Sequence, residues 1–128
     1  MAIRIVRLGT ARAPNEGVRI GTVRRPPRGV PKAAFSSGNW YDVWLPNLAP
    51  SPETVKLGLA SESEIQWRAF VRRYRAEMAQ PENSRVLDVL AALSHGANFS
   101  VGCYCEDVSR CHRSVLRQLL LDRRAKVA

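Results

Sequence analysis

Two helical patterns follow one another through residues 61–96, and short β-branched runs stand on either side of them. Trp67, Phe70, Val71, Tyr74 and Met78 recur three and four residues apart, so they share one helix face, with Arg68, Arg72 and Arg75 on another. Ser61 with Glu64 fits a capping box, or Ser63 caps alone; either hydroxyl would satisfy an N–H that the first turn leaves unpaired. Pro81 ends this run. Glu82–His95 predicts a further helix with Val86, Val89, Leu90 and Leu93 inward and Gly96 as its stop. Ser51-Pro52-Glu53 starts a shorter helix that Gly58 cuts off, and Cys111 or His112 opens a last one whose core face is Val115, Leu116, Leu119 and Leu120.

Strand-like runs complete the pattern. Ile3, Ile5, Val6 and Leu8 form one, closed by Gly9; Val18–Arg24 forms another, after turn chemistry in residues 10–17. Tyr41–Leu45 reads as a short strand in an otherwise unpatterned stretch, and Phe99–Cys103 as a strand leading into the last helix. Strands alternating with helices predict an α/β fold: a small three-layer domain, its sheet mainly parallel and covered by helices on both faces. At 128 residues the chain fits one domain, residues 1–128, large enough for a core without disulfides.

No apolar stretch approaches the roughly 20 residues that a membrane-spanning helix requires. Arginines interrupt Met1–Arg7, leaving no signal-peptide core, so a cytoplasmic location without membrane contact is expected. The three cysteines lie within nine residues, at 103, 105 and 111. A secreted scaffold would spread an even number along the chain to close long loops, so the cluster points to a site.

The formal charge is +9, and 17 of the 20 basic residues are arginine. Guanidinium grips phosphate or carboxylate as a fork, where lysine acts as a point charge; a GC-rich coding sequence would also favour arginine everywhere. The surplus points to an anionic partner, either a small molecule or nucleic-acid phosphate. Residues 24–32 concentrate it: Arg24, Arg25, Arg28 and Lys32 stand among Pro26, Pro27, Gly29 and Pro31, which forbid a helix or a central strand.

Cys103–Ser114 joins a strand to a helix, the place where open α/β sheets bind ligands. The helix start presents free N–H groups together with Arg113 and Ser114, a combination suited to an anion. It would also lower the pKa of a nearby thiol, which makes Cys111 a candidate nucleophile, with Cys103 facing it and His112 as base. Against this, Cys103 would pack equally well as a small buried apolar residue, and His112 as a helix cap. Cys103, Cys105, Cys111 and His112 also number enough for tetrahedral zinc, although C-x-C with an adjacent C-H departs from the usual knuckle spacing. A redox disulfide from Cys111 to Cys103 or Cys105 is the remaining reading. The five residues between Cys111 and Arg117 match a thiol-phosphatase count, but they read as helix and contain no glycine, which excludes that mechanism.

Gly17-Val18-Arg19, Arg24, Pro27-Arg28-Gly29-Val30-Pro31-Lys32, Leu48-Ala49-Pro50-Ser51, residues 67–77 (WRAFVRRYRAE), Cys103 and Cys111-His112-Arg113-Ser114 together resemble the DUF488 family, in the same order over most of the chain. Some of the family have the arginine loop without C-H-R; this chain has both, with Pro26 where relatives often carry an aromatic. The resemblance implies a Rossmann-like fold and intracellular residence. It marks Arg19, Arg24, Arg28, Lys32, Cys103, Cys111, His112 and Arg113 as the residues to follow, and it brings no substrate with it.

Two functions of different class follow. In the first, an enzyme holds an anionic substrate with Arg19, Arg24, Arg28, Lys32 and Ser114, clamps it with Arg113, and attacks it with Cys111 or Cys103 while His112 serves as base; no cofactor is expected. In the second, a nucleic-acid-binding module uses the same arginines, extended by Arg68, Arg72, Arg75, Arg123 and Arg124, and its cysteines are structural. A redox or metal sensor would use the cysteine cluster alone.

Overall fold

A computed structural model describes residues 1–106 and 110–128. Its strands are β1 (Ile3–Arg7), β2 (Val18–Gly21), β3 (Val43–Trp44) and β4 (Phe99–Cys103), and its helices α1 (Pro52–Leu59), α2 (Glu64–Met78), α3 (Pro81–Leu93) and α4 (His112–Asp122). The strands form one all-parallel sheet in the order β1-β4-β2-β3. This is the expected α/β class, a small Rossmann-like domain. β4 is buried along its whole length because it lies between β1 and β2, in register Ile3–Phe99 on one side and Val18–Phe99 on the other. Beyond β1 the chain end adds a bridge, Ile3 to Val127.

Strand alternation sends Ile3, Ile5, Ile20, Phe99 and Val101 to one face. There they meet Trp67, Phe70, Tyr74 and Met78 of α2, Leu87 and Leu90 of α3, and the expected Val115, Leu116, Leu119 and Leu120 of α4. Val89 and Leu93, read as inward, are instead exposed at 57% and 51%; Leu87 and Ala91 take their place because α3 is rotated toward α4. Pro81 is the first residue of α3, where its missing N–H costs nothing. Of the two caps considered for α2, Ser63 forms it, its hydroxyl accepting from the Gln66 N–H at 3.2 Å.

The opposite face is covered by residues 8–16 and 32–42, whose helical part is a single 3-10 turn at Lys32–Ala34. The Tyr41 ring lies against Gly21, in space that a β-carbon there would occupy. Beneath this cover is a buried ion pair. Arg19 Nε donates to Glu16 Oε2 at 2.8 Å and Nη2 to Oε1 at 3.1 Å, while Nη1 donates to the carbonyls of Thr10 and Asn39. Ser100 Oγ and the Ala13 N–H complete the carboxylate. Among the described residues no helix is long and apolar enough to cross a membrane.

Candidate functional site

β4 delivers Cys103 to the carboxyl edge of the sheet, and β2 ends beside it, where Thr22 donates through both N–H and hydroxyl to the Gly102 carbonyl at 2.9 and 3.0 Å. α4 starts over the same edge. Its N-cap, Cys111, is extended (φ −128°, ψ 152°), which turns the side chain back toward β4. Cys103 Sγ and Cys111 Sγ consequently lie 2.7 Å apart, both buried and both free thiols.

His112 is next to them. Its Nε2 is 2.8 Å from the Thr22 carbonyl oxygen, and its Nδ1 is 3.8 Å from Cys111 Sγ. A carbonyl only accepts, so Nε2 carries the hydrogen and Nδ1 presents its lone pair to the thiol. Burial lowers the imidazole pKa to about 4 against the opposing pull of the Thr22 carbonyl, so the ring is neutral at physiological pH.

Cys105 is the exposed member of the cluster. The neighbouring thiols of Cys103 and Cys111 pull its pKa down despite partial burial, and His112 and Arg113 add to the effect. Cys103 moves the other way, raised by those same contacts with Cys105 and Cys111 and by burial. For Cys111, the bond with Cys103 lowers the pKa, but the neighbouring Cys105 and burial outweigh it and the net shift is upward. Of the three sulfurs, the outermost is thus the one favoured as thiolate, with the two buried thiols behind it.

The thiols open into a cavity of about 350 Å³ lined by Cys103, Cys105 and His112 on one side and by Arg24, Arg25 and Lys56 on the other, with Pro50, Pro52 and Val55 as its apolar floor. Arg24 ties the wall together, its Nε donating to the Pro50 carbonyl at 3.1 Å and its Nη2 to that of Ala49 at 3.0 Å. The arginine loop and the cysteine segment therefore meet, at the crevice that a parallel sheet leaves beyond its strand ends.

A family model described as the active DUF488-N3 subclade matches residues 3–124. The chain belongs to the DUF488 family. No curated protein and no solved structure matches it.

The matched span takes in every strand and helix of this DUF488 protein, so the cavity is part of the family domain. Of the expected site residues, Cys103, His112 and Arg24 line it, while Cys111 packs against Cys103 and faces a smaller neighbouring pocket. Arg28 lines an adjoining cleft, and Lys32 lies in a separate hollow with Phe35, Tyr41 and Trp44. Ser114 donates its hydroxyl to the Cys111 carbonyl at 2.9 Å, within its own helix turn. Two expectations need correction. Arg19 is not available to a ligand: its guanidinium is fully buried and engaged by Glu16 and two carbonyls. Arg113 is no exposed clamp either; it is 4% exposed and donates through Nη2 to the Cys105 carbonyl, bracing the turn after β4. Residues 107–109 of the cysteine segment lie outside the described residues.

Thr22, Lys56, Trp40 and Tyr104 enter only with the structure, and so does Cys105 as the exposed thiol, since the sequence offered it only as a metal ligand or disulfide partner. The alternation of β4 offered one signal, since continuing it past Cys103 puts Cys105 on the same side and Tyr104 on the other. Nothing in the sequence marked Thr22, Lys56 or Trp40.

Proposed function

We propose that this DUF488 protein is a thiol-dependent enzyme acting on a phosphorylated or otherwise anionic small molecule. The observation that carries this reading is the shared cavity, in which an exposed Cys105 and the neutral ring of His112 face Arg24, Arg25 and Lys56. The three cations hold the anion. Cys105, as thiolate, attacks the electrophilic centre; the leaving group departs with its electron pair, and water then cleaves the thiol adduct. The buried thiols of Cys103 and Cys111 stand behind the thiolate, His112 Nδ1 accepts from Cys111, and Arg113 fixes the turn that carries Cys105. That the matching model is described as an active subclade is in keeping with this. The nucleic-acid module with structural cysteines is less well supported, because Arg68, Arg75 and Arg123 of its extended surface pair with Glu64, Asp122 and Asp88.

The test is the pH dependence of alkylation at each cysteine, read by mass spectrometry on reduced protein. Cys105 is expected to react rapidly well below pH 8 while Cys103 and Cys111 stay protected. Uniformly slow reaction of all three at neutral pH overturns the assignment.

A second reading has its own observation. Ligand atoms of Cys103, Cys111 and His112 lie within 4.8 Å of one another, and the Thr22 contact frees Nδ1 as a donor, as in sites for a soft metal ion. Metal analysis of protein purified without chelators decides it: about one zinc per chain supports this reading, and metal-free protein with intact thiols removes it.

A further inference from the structure

Beside the thiol cavity lies a larger cleft of about 610 Å³, bounded by Arg7, Arg25 and Arg28 and by the rings of Trp40 and Tyr104. Among the described residues its positive charge is only partly balanced by acids. Arg7 reaches Glu106 at 3.3 Å, but Arg25 and Arg28 have no acidic partner among the described residues. Pro26 and Pro27 stand between those two arginines and stiffen the backbone that spaces them.

The aromatic wall is built with equal care. Trp40 and Tyr104 meet edge to face with centroids 6.0 Å apart, and both are half-buried, so each keeps ring surface toward the cleft. Gly9 holds a positive φ of 88° where a β-carbon would come within 2.9 Å of the Trp40 ring, so glycine lets the indole lie against the backbone. Tyr104 Oη donates to the Arg25 carbonyl at 2.8 Å, and these two residues line both the cleft and the thiol cavity. The two spaces are neighbouring chambers with a common wall.

Planar π surface next to unpaired guanidinium groups recognises a planar heterocycle carrying phosphate. Neither part alone requires such a ligand, since a simple phosphate needs no aromatic wall and an apolar ring needs no arginines. We infer that the cleft binds a nucleotide unit, its base against Trp40 and Tyr104 and its phosphate on Arg25 and Arg28, with the remainder directed past Tyr104 toward Cys105. The binding stands on the cleft itself; only the orientation rests on the thiol-enzyme reading. The unit is either a free nucleotide or one residue of a single strand, and both present the same chemistry.

The experiment uses Cys105→Ser protein, so that binding is read independently of any thiol chemistry and failure here leaves the alkylation result untouched. Probes are AMP, CMP, a fluorescein-labelled ten-residue oligothymidylate and inorganic phosphate, titrated by calorimetry or polarisation at low salt. Binding of a nucleotide or the oligomer is expected, weakened by about tenfold or more in Arg25→Gln/Arg28→Gln and in Trp40→Leu, with Trp40→Phe retaining most of it. Lys32→Gln, in the separate hollow, should bind as the parent does. AMP or CMP binding as tightly as the oligomer identifies a free nucleotide, whereas preference for the oligomer with a steep salt dependence identifies a strand. Inorganic phosphate competing as well as the nucleotides, or affinity indifferent to the paired arginine substitutions, overturns the inference. Because Arg25 and Arg28 are exposed, their double variant keeps the test decisive even if Trp40→Leu fails to fold.

Discussion

Tyr104 and Arg25, 79 residues apart in the chain, are joined by one hydrogen bond of 2.8 Å from phenol to carbonyl. It fastens the turn after β4 to the proline loop after β2, and so sets the width of the opening beyond the sheet. Tyr104→Phe keeps the ring against Trp40 and removes only the bond. Unfolding in urea is expected to register a loss of about 0.5–1.5 kcal/mol, with a single cooperative transition retained. Stability equal to the parent would mean that the bond does not hold the loop.

The charge on the cavity wall predicts an inverted reagent preference at Cys105. Arg24, Arg25 and Lys56 should draw iodoacetate to the thiolate relative to neutral iodoacetamide, and the preference should fall with added salt. Arg25→Gln/Lys56→Gln is expected to lower the iodoacetate rate several-fold and leave iodoacetamide nearly unchanged. Equal loss with both reagents would show that the cations act on the thiol and not on the incoming anion.

Nitrogen-15 NMR of the His112 ring is a direct measure of its burial. The ring should remain neutral as pH falls through the ordinary histidine range and protonate only near pH 4, with hydrogen on Nε2 throughout the neutral range. The sign follows from desolvation, which disfavours the imidazolium more than the Thr22 carbonyl favours it. Titration near pH 6.5, or hydrogen on Nδ1, would contradict the packing of this ring under Tyr74 and beside Thr22.

The Glu16–Arg19 pair predicts how the fold responds to acid. Burial raises the Glu16 pKa, but the Arg19 hydrogen bonds, with those of Ser100 and Ala13, more than reverse this and lower it from 4.5 to about 2. A lowered carboxylate pKa adds stability that is complete above the unfolded value and disappears as pH falls toward 2. Arg19→Gln should cost about 3–5 kcal/mol at neutral pH, because it leaves a buried carboxylate without its cation. Denaturation midpoints followed from pH 7 to pH 2 should flatten across that interval in Glu16→Gln relative to the parent.

Much of the fold was legible because it rests on local rules. The Phe99–Cys103 strand, the Ser51 and Ser63 caps, and the inward leucines of α4 follow from alternation, hydroxyl capping and helical period. The same rules failed at Val89 and Leu93, where an apolar stripe on α3 was wider than the face α4 and the sheet could cover. The site was half legible. Clustered cysteines and an arginine loop announced themselves by composition, whereas the cover that buries Arg19 spans residues 8–16 and 32–42, a stretch with no period to read.

Local spacing and residue chemistry by themselves determined that this chain is an α/β protein with thiols and cations set at strand ends. Which sulfur is outermost, which arginines are spent on internal partners and which remain free was decided only by tertiary structure. The reason is physical: desolvation and hydrogen bonding depend on which distant segments come to lie around a group, and in that respect Cys105 differs from Cys103, and Arg28 from Arg19.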